Sequence, residues 1–333
     1  MKNKWIIYGI GILLLLLLPQ IFTTSYSRVL FDQIGINLIL VISLNIVLGF
    51  TGQISFATAA FFGIGAYASS LLTIRLGFPF WVAFPISGII TTLFGVILGF
   101  PSLRVKGHYL AIITIGFGEI LRLIMTNFKT LTNGPNGITN IPAPSIFGFS
   151  LNQPETYYYL VLAIVTLAMI STSRLGSSKI GRALKAIRDS SIAADCMGIN
   201  TTYYKVLAFA LSAFWAGIAG SLYAHLMSYI APDVFVFATS VKTLIMLYIG
   251  GVGTMFGPVI GAVLITTLPE FLRFMENYYM ALYGLGVLLI MIFMRGGIMG
   301  GLTYIKEKIF MDDGKKGGLT HLIIKGGKRN DAI

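Results

Sequence analysis

Long apolar runs, repeated along most of the chain, are the feature that most restricts how this sequence can fold. Runs of roughly 18 or more residues recur, and a helix that crosses a bilayer needs about 20 apolar residues. Only 11% of the residues are charged, whereas soluble domains average about 25%. The alternating segments of about ten residues that mark a transmembrane barrel do not occur. We therefore predict an all-α polytopic membrane protein.

The apolar segments predict about ten transmembrane helices. No small-residue cleavage site clearly follows the first segment, so we expect it to stay as a helix rather than to be removed as a signal peptide. The approximate bounds of the ten segments are 5–24, 29–49, 56–74, 80–100, 108–127, 157–173, 206–227, 239–251, 256–272 and 278–294.

The distribution of Lys and Arg predicts the orientation of these helices, because cytoplasmic loops of membrane proteins collect cations. With the N-terminus inside and the segments alternating, 18 cations fall inside and 4 fall outside. An odd number of helices would place either the middle loop or the tail on the wrong side. We therefore predict that the N-terminus and the C-terminus are both cytoplasmic. The same rule accounts for the net charge of +12 without a nucleic-acid partner.

The segments divide the chain into a transmembrane domain, 1–305, and a basic cytoplasmic tail, 306–333. The outer loop 128–156 is rich in Asn, Gly, Pro and Thr, so we expect it to be turn-dense and ordered against the helix ends. The tail is too short to form a domain, and we expect it to face membrane lipid.

The cytoplasmic loop 174–205 contains a dense cationic stretch, GRALKAIRDSSIAADCMGI at 181–199. Apolar residues alternate there with cations, and Gly198 is a typical signal for the end of a helix. We predict one short amphipathic helix under the membrane. It could lie on anionic lipid, or it could dock a cytoplasmic partner.

The chain carries no phosphate-binding loop of the G-x-x-x-x-G-K-[ST] type. The nearest string, GSSKIGRA at 176–183, has Arg182 and Ala183 where Lys and Ser/Thr belong. The chain is therefore predicted not to hydrolyse ATP unaided, and so not to be an enzyme. We predict no cofactor and no metal, because the three histidines offer no ligand spacing.

Four stretches resemble the LivM-type permease subunits of the branched-chain amino-acid ABC importer family. In one, Ile192-Ala193-Ala194 is followed after three residues by Gly198, which is similar to the E-A-A-x-x-x-G loop of ABC importer permeases. Ile192 stands where that loop has Glu. The other three are NIVLGFTGQISFATAAFFGIGAYASSLL (45–72), GHYLAIITIGFGEILRLIMTNFKTLTNGPNGI (107–138) and LYIGGVGTMFGPVIGAVL (247–264).

The resemblance implies a multi-pass permease in the plasma membrane of a bacterium or archaeon, translocating branched-chain or other hydrophobic amino acids. It implies a second permease subunit, two cytoplasmic ATP-binding cassette subunits and an extracytoplasmic substrate-binding protein as partners, besides membrane lipid. The E-A-A-like loop would be the coupling helix that seats in the ATPase. The residues assigned to ATPase coupling are Arg182, Lys185, Arg188, Ala193, Ala194 and Gly198.

Polar residues and glycine-bearing breaks inside the membrane are candidates for the translocation path. Transporters often place sites where a helix is interrupted near the midplane, and the stretches 49–55 and 250–258 could be such breaks or ordinary turns. The path candidates are Asn45, Gly52, Ser55, Glu119, Arg122, Gly251 and Gly253.

Glu119 and Arg122 lie three residues apart on one helix face, and two explanations of the pair remain open. A charge in the bilayer core costs roughly 2.5–3.5 kcal/mol on insertion scales. The two residues could neutralise each other inside the bundle. They could instead form a polar post near the path, able to meet a zwitterionic substrate.

Other functions remain alternatives. Related ABC permeases carry urea or short amides. An ion-coupled secondary transporter would need intramembrane carboxylates, for which only Glu119 and Asp32 are available. A membrane enzyme would need a catalytic cluster of His, Asp, Cys or Ser, and the sequence shows none.

Overall fold

The computed structural model describes residues 25–103, 107–146, 149–150 and 154–272, together with Val105 and five isolated residues between 284 and 298. The predicted helix 5–24 and the tail 306–333 lie outside the described residues. So does the predicted segment 278–294, apart from three isolated positions.

Helices make up most of the described chain. They are α1 (Ser25–Leu44), α2 (Thr58–Ile74), α3 (Phe80–Gly99), α4 (His108–Asn127), α5 (Lys129–Thr132), α6 (Pro154–Ser177), α7 (Lys179–Asp189), α8 (Ser191–Cys196), α9 (Thr201–Met227), α10 (Phe237–Gly250) and α11 (Gly257–Leu272). α1 continues directly into a π-helix, Asn45–Gly49. Short 3-10 turns lie at Pro101–Leu103, Gly134–Asn136 and Pro232–Val234.

Each predicted apolar segment between residues 29 and 272 coincides with a helix, and the segment 108–127 has the bounds of α4. Six helices of the described chain are long and apolar enough to cross a membrane, and two shorter apolar helices are Thr58–Ile74 and Gly257–Phe271. The chain is therefore a multi-pass helical membrane protein. The total of ten helices and the side on which the termini lie stay predictions.

α9 is the centre of the bundle and packs against α1, α2 and α3. Of its most apolar stretch of 18 residues, 72% is buried inside the structure, whereas the corresponding share for α4 is 22%. Small residues allow this close packing: a Cβ added at Gly65 of α2 would lie 2.2 Å from the carbonyl oxygen of Gly217 in α9. The bundle thus has a dense centre, with α4 at its edge.

The connections predicted to lie outside gather at one end of the bundle. Two short antiparallel ladders form there, β1 (Ile138–Thr139) with β4 (Tyr229–Ile230) and β2 (Ser145–Ile146) with β3 (Phe149–Ser150). The indole of Trp81 donates a hydrogen bond to the carbonyl of Ser145 at 2.8 Å. In its described part, the loop 128–156 is ordered against the helix ends, as predicted.

Candidate functional site

The loop 174–205 forms two helices, so the prediction of one helix through 181–199 is wrong. α7 and α8 are separated at Ser190, whose backbone is extended (φ −160°). The hydroxyl of Ser190 accepts a hydrogen bond from the amide of Ala193 at 3.3 Å, so it caps a new helix. The signal was present in Asp189-Ser190-Ser191, because serine favours the position before a first helical turn.

α7 is tied to the end of α6 by two of the predicted coupling residues. The Nζ of Lys185 donates to the carbonyl of Gly176 at 2.9 Å, and Nη1 of Arg182 donates to the carbonyl of Ser177 at 3.2 Å. Carbonyls in the last turn of a helix lack helical partners, and cations satisfy them well. The opposite face of α7 buries Ala183, Leu184 and Ile187.

Arg188 reaches from the end of α7 to the break that follows α1. Its Nη1 donates to the carbonyl of Gly49 at 3.0 Å. A Cβ added at Gly52 would lie 2.9 Å from the Cγ of Arg188, and Gly52 has φ +70°. Glycine therefore provides both the backbone conformation and the space for the arginine side chain.

The two glycine-bearing stretches, 49–55 and 250–258, meet each other. The side chain of Asn45 donates to the carbonyl of Thr254 at 3.0 Å and accepts from the amide of Gly253 at 2.9 Å. A Cβ on Gly49 would lie 2.9 Å from the Cα of Gly253. We name the cluster Asn45, Gly49, Gly52, Arg188 and Gly253 the inner joint. Gly251 ends α10 beside it.

The far end of the break 52–57 is held at a second place. The hydroxyl of Ser240, in the first turn of α10, accepts from the amide of Ala59 at 3.0 Å and donates to the carbonyl of Phe56 at 2.6 Å. The amide of Phe56 donates to the hydroxyl of Thr114 in α4 at 3.0 Å. The hydroxyl of Ser55 accepts from the amide of Ala57 at 3.3 Å. α2 and α10 therefore begin beside each other, against α4.

Glu119 and Arg122 form an ion pair on the exposed side of α4. The Nε of Arg122 lies 3.0 Å from each carboxylate oxygen of Glu119, and the two side chains are 26% and 47% exposed for Arg122 and Glu119. The explanation that the pair packs inside this chain's own bundle is therefore wrong. A small pocket beside Glu119 is lined by Phe56, Phe237 and Ser240 among others. We name the surface formed by Glu119, Arg122 and this pocket the α4 face.

The path candidates thus fall into two groups. Asn45, Gly52, Gly251 and Gly253 lie at or beside the inner joint, whereas Ser55, Glu119 and Arg122 lie at or near the α4 face. Sequence reasoning missed Thr114 and Ser240, because single hydroxyl residues in apolar helices carry no signal of which break they bind. In the part of the chain that the structure describes, no group of three or more His, Cys, Asp or Glu could hold a metal.

α8 presents an exposed surface at the end of the bundle opposite the two short ladders. Ile192 is 70% exposed and Met197 is 81% exposed, and Ala193 is exposed as well, while Ala194 is buried. Gly198 follows with φ +79° and open space around the position of a Cβ. The amide of Ile199 donates to the carbonyl of Ala194 at 3.0 Å and closes the helix.

Comparisons with known proteins agree with this architecture. The chain is 35% identical to the high-affinity branched-chain amino acid transport system permease protein LivM of Salmonella typhimurium, and 34% identical to that of Escherichia coli K12. Each alignment covers 79% of this chain and 68% of the relative. The ribose import permease protein RbsC of Haemophilus influenzae is 23% identical over 82% of this chain and 86% of its own length.

No solved structure matches the chain. The family model described as branched-chain amino acid transport system / permease component matches residues 28–294. That range includes both the inner joint and the α4 face, and it confirms the resemblance to LivM-type permeases. The chain therefore belongs to the family of branched-chain amino acid transport system permease components.

Proposed function

We propose that this chain is a permease subunit of an ABC importer that carries branched-chain amino acids across the plasma membrane of a bacterium or archaeon. It crosses the membrane ten times with both termini in the cytoplasm, and it has no ATPase site of its own. The LivM relatives, which are described as permeases for these amino acids, support the substrate class.

One observation carries the proposal: the break 52–57 connects α7 to the α4 face. Gly52 packs against Arg188, and only four residues further on Phe56 is held by Thr114 and Ser240. A displacement of α7 is therefore transmitted through six residues to the starts of α2 and α10. This connection gives the chain a mechanical route from the loop 174–205 to the α4 face.

The exposed surface of α8 is the proposed ATPase contact. Ile192 and Met197 expose apolar side chains at a polar end of the molecule, where such groups commonly mark a protein interface. Each of the two permeases in the importer would seat one cytoplasmic loop, which is 174–205 in this chain, in one ATP-binding cassette subunit. Arg182, Lys185 and Arg188 then hold α7 to the bundle, while Ala193, Ala194 and Gly198 shape the docking surface.

The α4 face is the proposed contact with the second permease. α4 is the least buried of the six long helices, and its exposed ion pair would be costly against lipid tails. A second permease that covers this face encloses the pair. The path then runs between the two chains, where Glu119 can meet the substrate ammonium and Arg122 the substrate carboxylate.

Asn45, Gly52, Gly251 and Gly253 have a different proposed role in transport. They shape the inner joint, and the joint changes the access of the path when α7 moves. At the opposite end, the loop 128–156 is the proposed surface for the extracytoplasmic substrate-binding protein.

The comparisons do not favour the alternatives. The two LivM relatives are described as branched-chain amino acid permeases, not as permeases for urea or short amides. Ion-coupled transport by the chain alone would need an intramembrane carboxylate that is free to bind the ion, whereas Glu119 is paired with Arg122. Asp32 is fully buried in α1, away from the exposed α4 face.

The function is tested by purifying the tagged chain from membranes and identifying the ATPase and the binding protein that accompany it. Liposomes that hold the whole complex should accumulate labelled leucine when ATP is supplied. Liposomes that hold the chain alone should not do so under a proton or sodium gradient. Uphill uptake by the isolated chain would overturn the proposal.

The orientation can be tested without any substitution. Cys196 is the single cysteine of the sequence, and it is exposed in α8. A membrane-impermeant thiol reagent should label it in inverted vesicles and leave it unlabelled in intact cells. The reverse pattern would place α8 outside and would contradict an ATPase contact.

A further inference from the structure

A cavity of about 330 Å³ lies beside the inner joint, between the ends of α1 and α6, the side chain of Lys185 and the turn before α11. One part of its wall is apolar and includes Ile42, Phe50, Met169 and Met255. The other part is polar and includes Thr172, Ser173 and Lys185. A cavity of this size and composition suits a ligand with a polar head and an apolar body.

The polar part of the wall is suited to an anion. Lys185 is half-buried, donates one hydrogen bond to the carbonyl of Gly176, and lies 5.7 Å from the centre of the Phe50 ring. An ammonium group has three donors, so it can offer further protons to a ligand. No carboxylate occurs among the described residues that line the cavity, so no lining side chain neutralises the charge of Lys185.

Thr172 supplies a second, independent observation. It is 7% exposed, and its hydroxyl has no hydrogen-bond partner among the described residues. Buried hydroxyls nearly always have partners, but this oxygen itself has almost no accessible surface, so it reaches a ligand in the cavity only when the side chain rotates about χ1. Ser173, the next residue, adds another hydroxyl to the same wall.

We propose that this cavity binds an anionic phospholipid of the inner leaflet. The phosphate lies against Lys185 and the hydroxyl of Ser173, and Thr172 rotates about χ1 to bring its hydroxyl to the phosphate. One acyl chain runs along the apolar wall formed by Ile42, Met169 and Met255. Because Lys185 belongs to α7 and Asn45 of the inner joint also lines the cavity, a bound lipid contacts both parts that the coupling movement must shift.

The test measures lipid binding directly, and it requires neither transport nor the ATPase. The purified chain in phosphatidylcholine nanodiscs is given a photoactivatable phosphatidylglycerol, and the labelled peptide is mapped. Labelling should fall within residues 42–50, 169–177 or 254–258. Lys185→Met should lower this labelling about fivefold, the factor expected for one lysine at an anionic surface, and Lys185→Arg should retain it.

Lys179→Met is the matched control, since Lys179 lies on the same helix and is exposed to solvent. It should leave the labelling unchanged, which would show that labelling depends on the cavity and not on the total charge of α7. Soluble glycerol phosphate should not compete, because it lacks the acyl chains. Competition by glycerol phosphate would assign the site to a free phosphate compound and overturn the lipid proposal.

Two further results would also overturn it. One is labelling in Lys185→Met equal to that of the unmodified chain. The other is labelling that falls mainly outside residues 42–50, 169–177 and 254–258, which would place the lipid elsewhere on the chain. Failure of leucine uptake in the complex would contradict the proposed function and would leave the lipid result unaffected.

Discussion

The guanidinium Nη1 of Arg188 donates a hydrogen bond to the carbonyl oxygen of Gly49 at 3.0 Å, which links α7 to the last turn of the helix that begins at Ser25. The acceptor is a backbone atom in a π-helix, so its position is fixed by the fold rather than by a side chain. Movement of α7 must therefore either displace this turn or break the bond.

Replacing Arg188 with methionine should uncouple ATP hydrolysis from transport. A hydrogen bond to a charged group is worth about 1.5–3 kcal/mol. Because this side chain is partly exposed we expect the lower end, and therefore roughly a tenfold loss of leucine uptake in proteoliposomes. ATP hydrolysis by the same complex should stay close to its normal rate.

Arg182→Met is the control for this variant, because Arg182 is on the same helix and its side chain donates to the end of α6. It should reduce uptake much less. Equal losses in the two variants would show that any cation on α7 matters, and that the contact with Gly49 has no special role.

Asn45→Leu should lower the melting temperature of the purified chain. The substitution leaves the amide of Gly253 and the carbonyl of Thr254, which are partly buried, without their partner, and the loss of such a partner costs up to about 1–3 kcal/mol. Because both partners are backbone atoms, no second substitution can remove the penalty.

The comparison is the double variant Asn37→Leu/Thr266→Val. Asn37 donates to the hydroxyl of Thr266 at 3.0 Å, so this pair loses donor and acceptor together and should keep a nearly normal melting temperature. A larger loss in the double variant than in Asn45→Leu would contradict the role assigned to Asn45.

Glu119→Gln should impair uptake strongly, because it leaves Arg122 as an unpaired charge in a membrane-spanning helix. Such a charge costs roughly 2.5–3.5 kcal/mol, so expression or uptake should fall by about tenfold or more. The double variant Glu119→Gln/Arg122→Gln should recover part of the loss, and Glu119→Asp should retain most of the activity. If the double variant recovers nothing, the two residues do not act as a pair.

Gly198→Trp should leave the chain in the membrane and abolish its association with the ATPase, as measured by co-purification. The position has φ +79° with open space beyond it, so an indole there would project into the docking surface. Gly198→Asn should keep the association, since asparagine tolerates this backbone conformation.

Gly77→Trp is the matched control, because Gly77 has φ +66° and equally open space in the connection between α2 and α3, at the opposite end of the bundle. It imposes the same backbone strain and should keep the ATPase. Loss of the ATPase in both variants would indicate general misfolding.

The helices were predictable from the sequence because a segment that spans a bilayer must be apolar over most of its length. The bounds of α4 follow directly from the run 108–127. The cations of α7, such as Arg188, were predictable as a group, and the glycine-bearing stretches 49–55 and 250–258 as interruptions. All of these signals are local in sequence.

The contacts between these features were not predictable. Asn45 binds a turn about 200 residues away, and the polarity of Asn45 says nothing about which turn that is. The division of 174–205 into two helices depended on a single hydroxyl, that of Ser190, in competition with helix-favouring alanines. The exposure of Glu119 depended on how few helices pack on α4, which a single sequence does not record.

The π-helix at Asn45–Gly49 makes the number of residues in this turn as important as their identity. A π-turn holds about one residue more than an α-turn, and each residue of an α-helix rotates the chain by about 100°. Deleting any one of the four residues that follow Asn45 in this turn would let the turn relax into an α-helix and would swing the amide of Asn45 away from Gly253. Insertions and deletions at this point should therefore be tolerated far less than conservative exchanges of side chains.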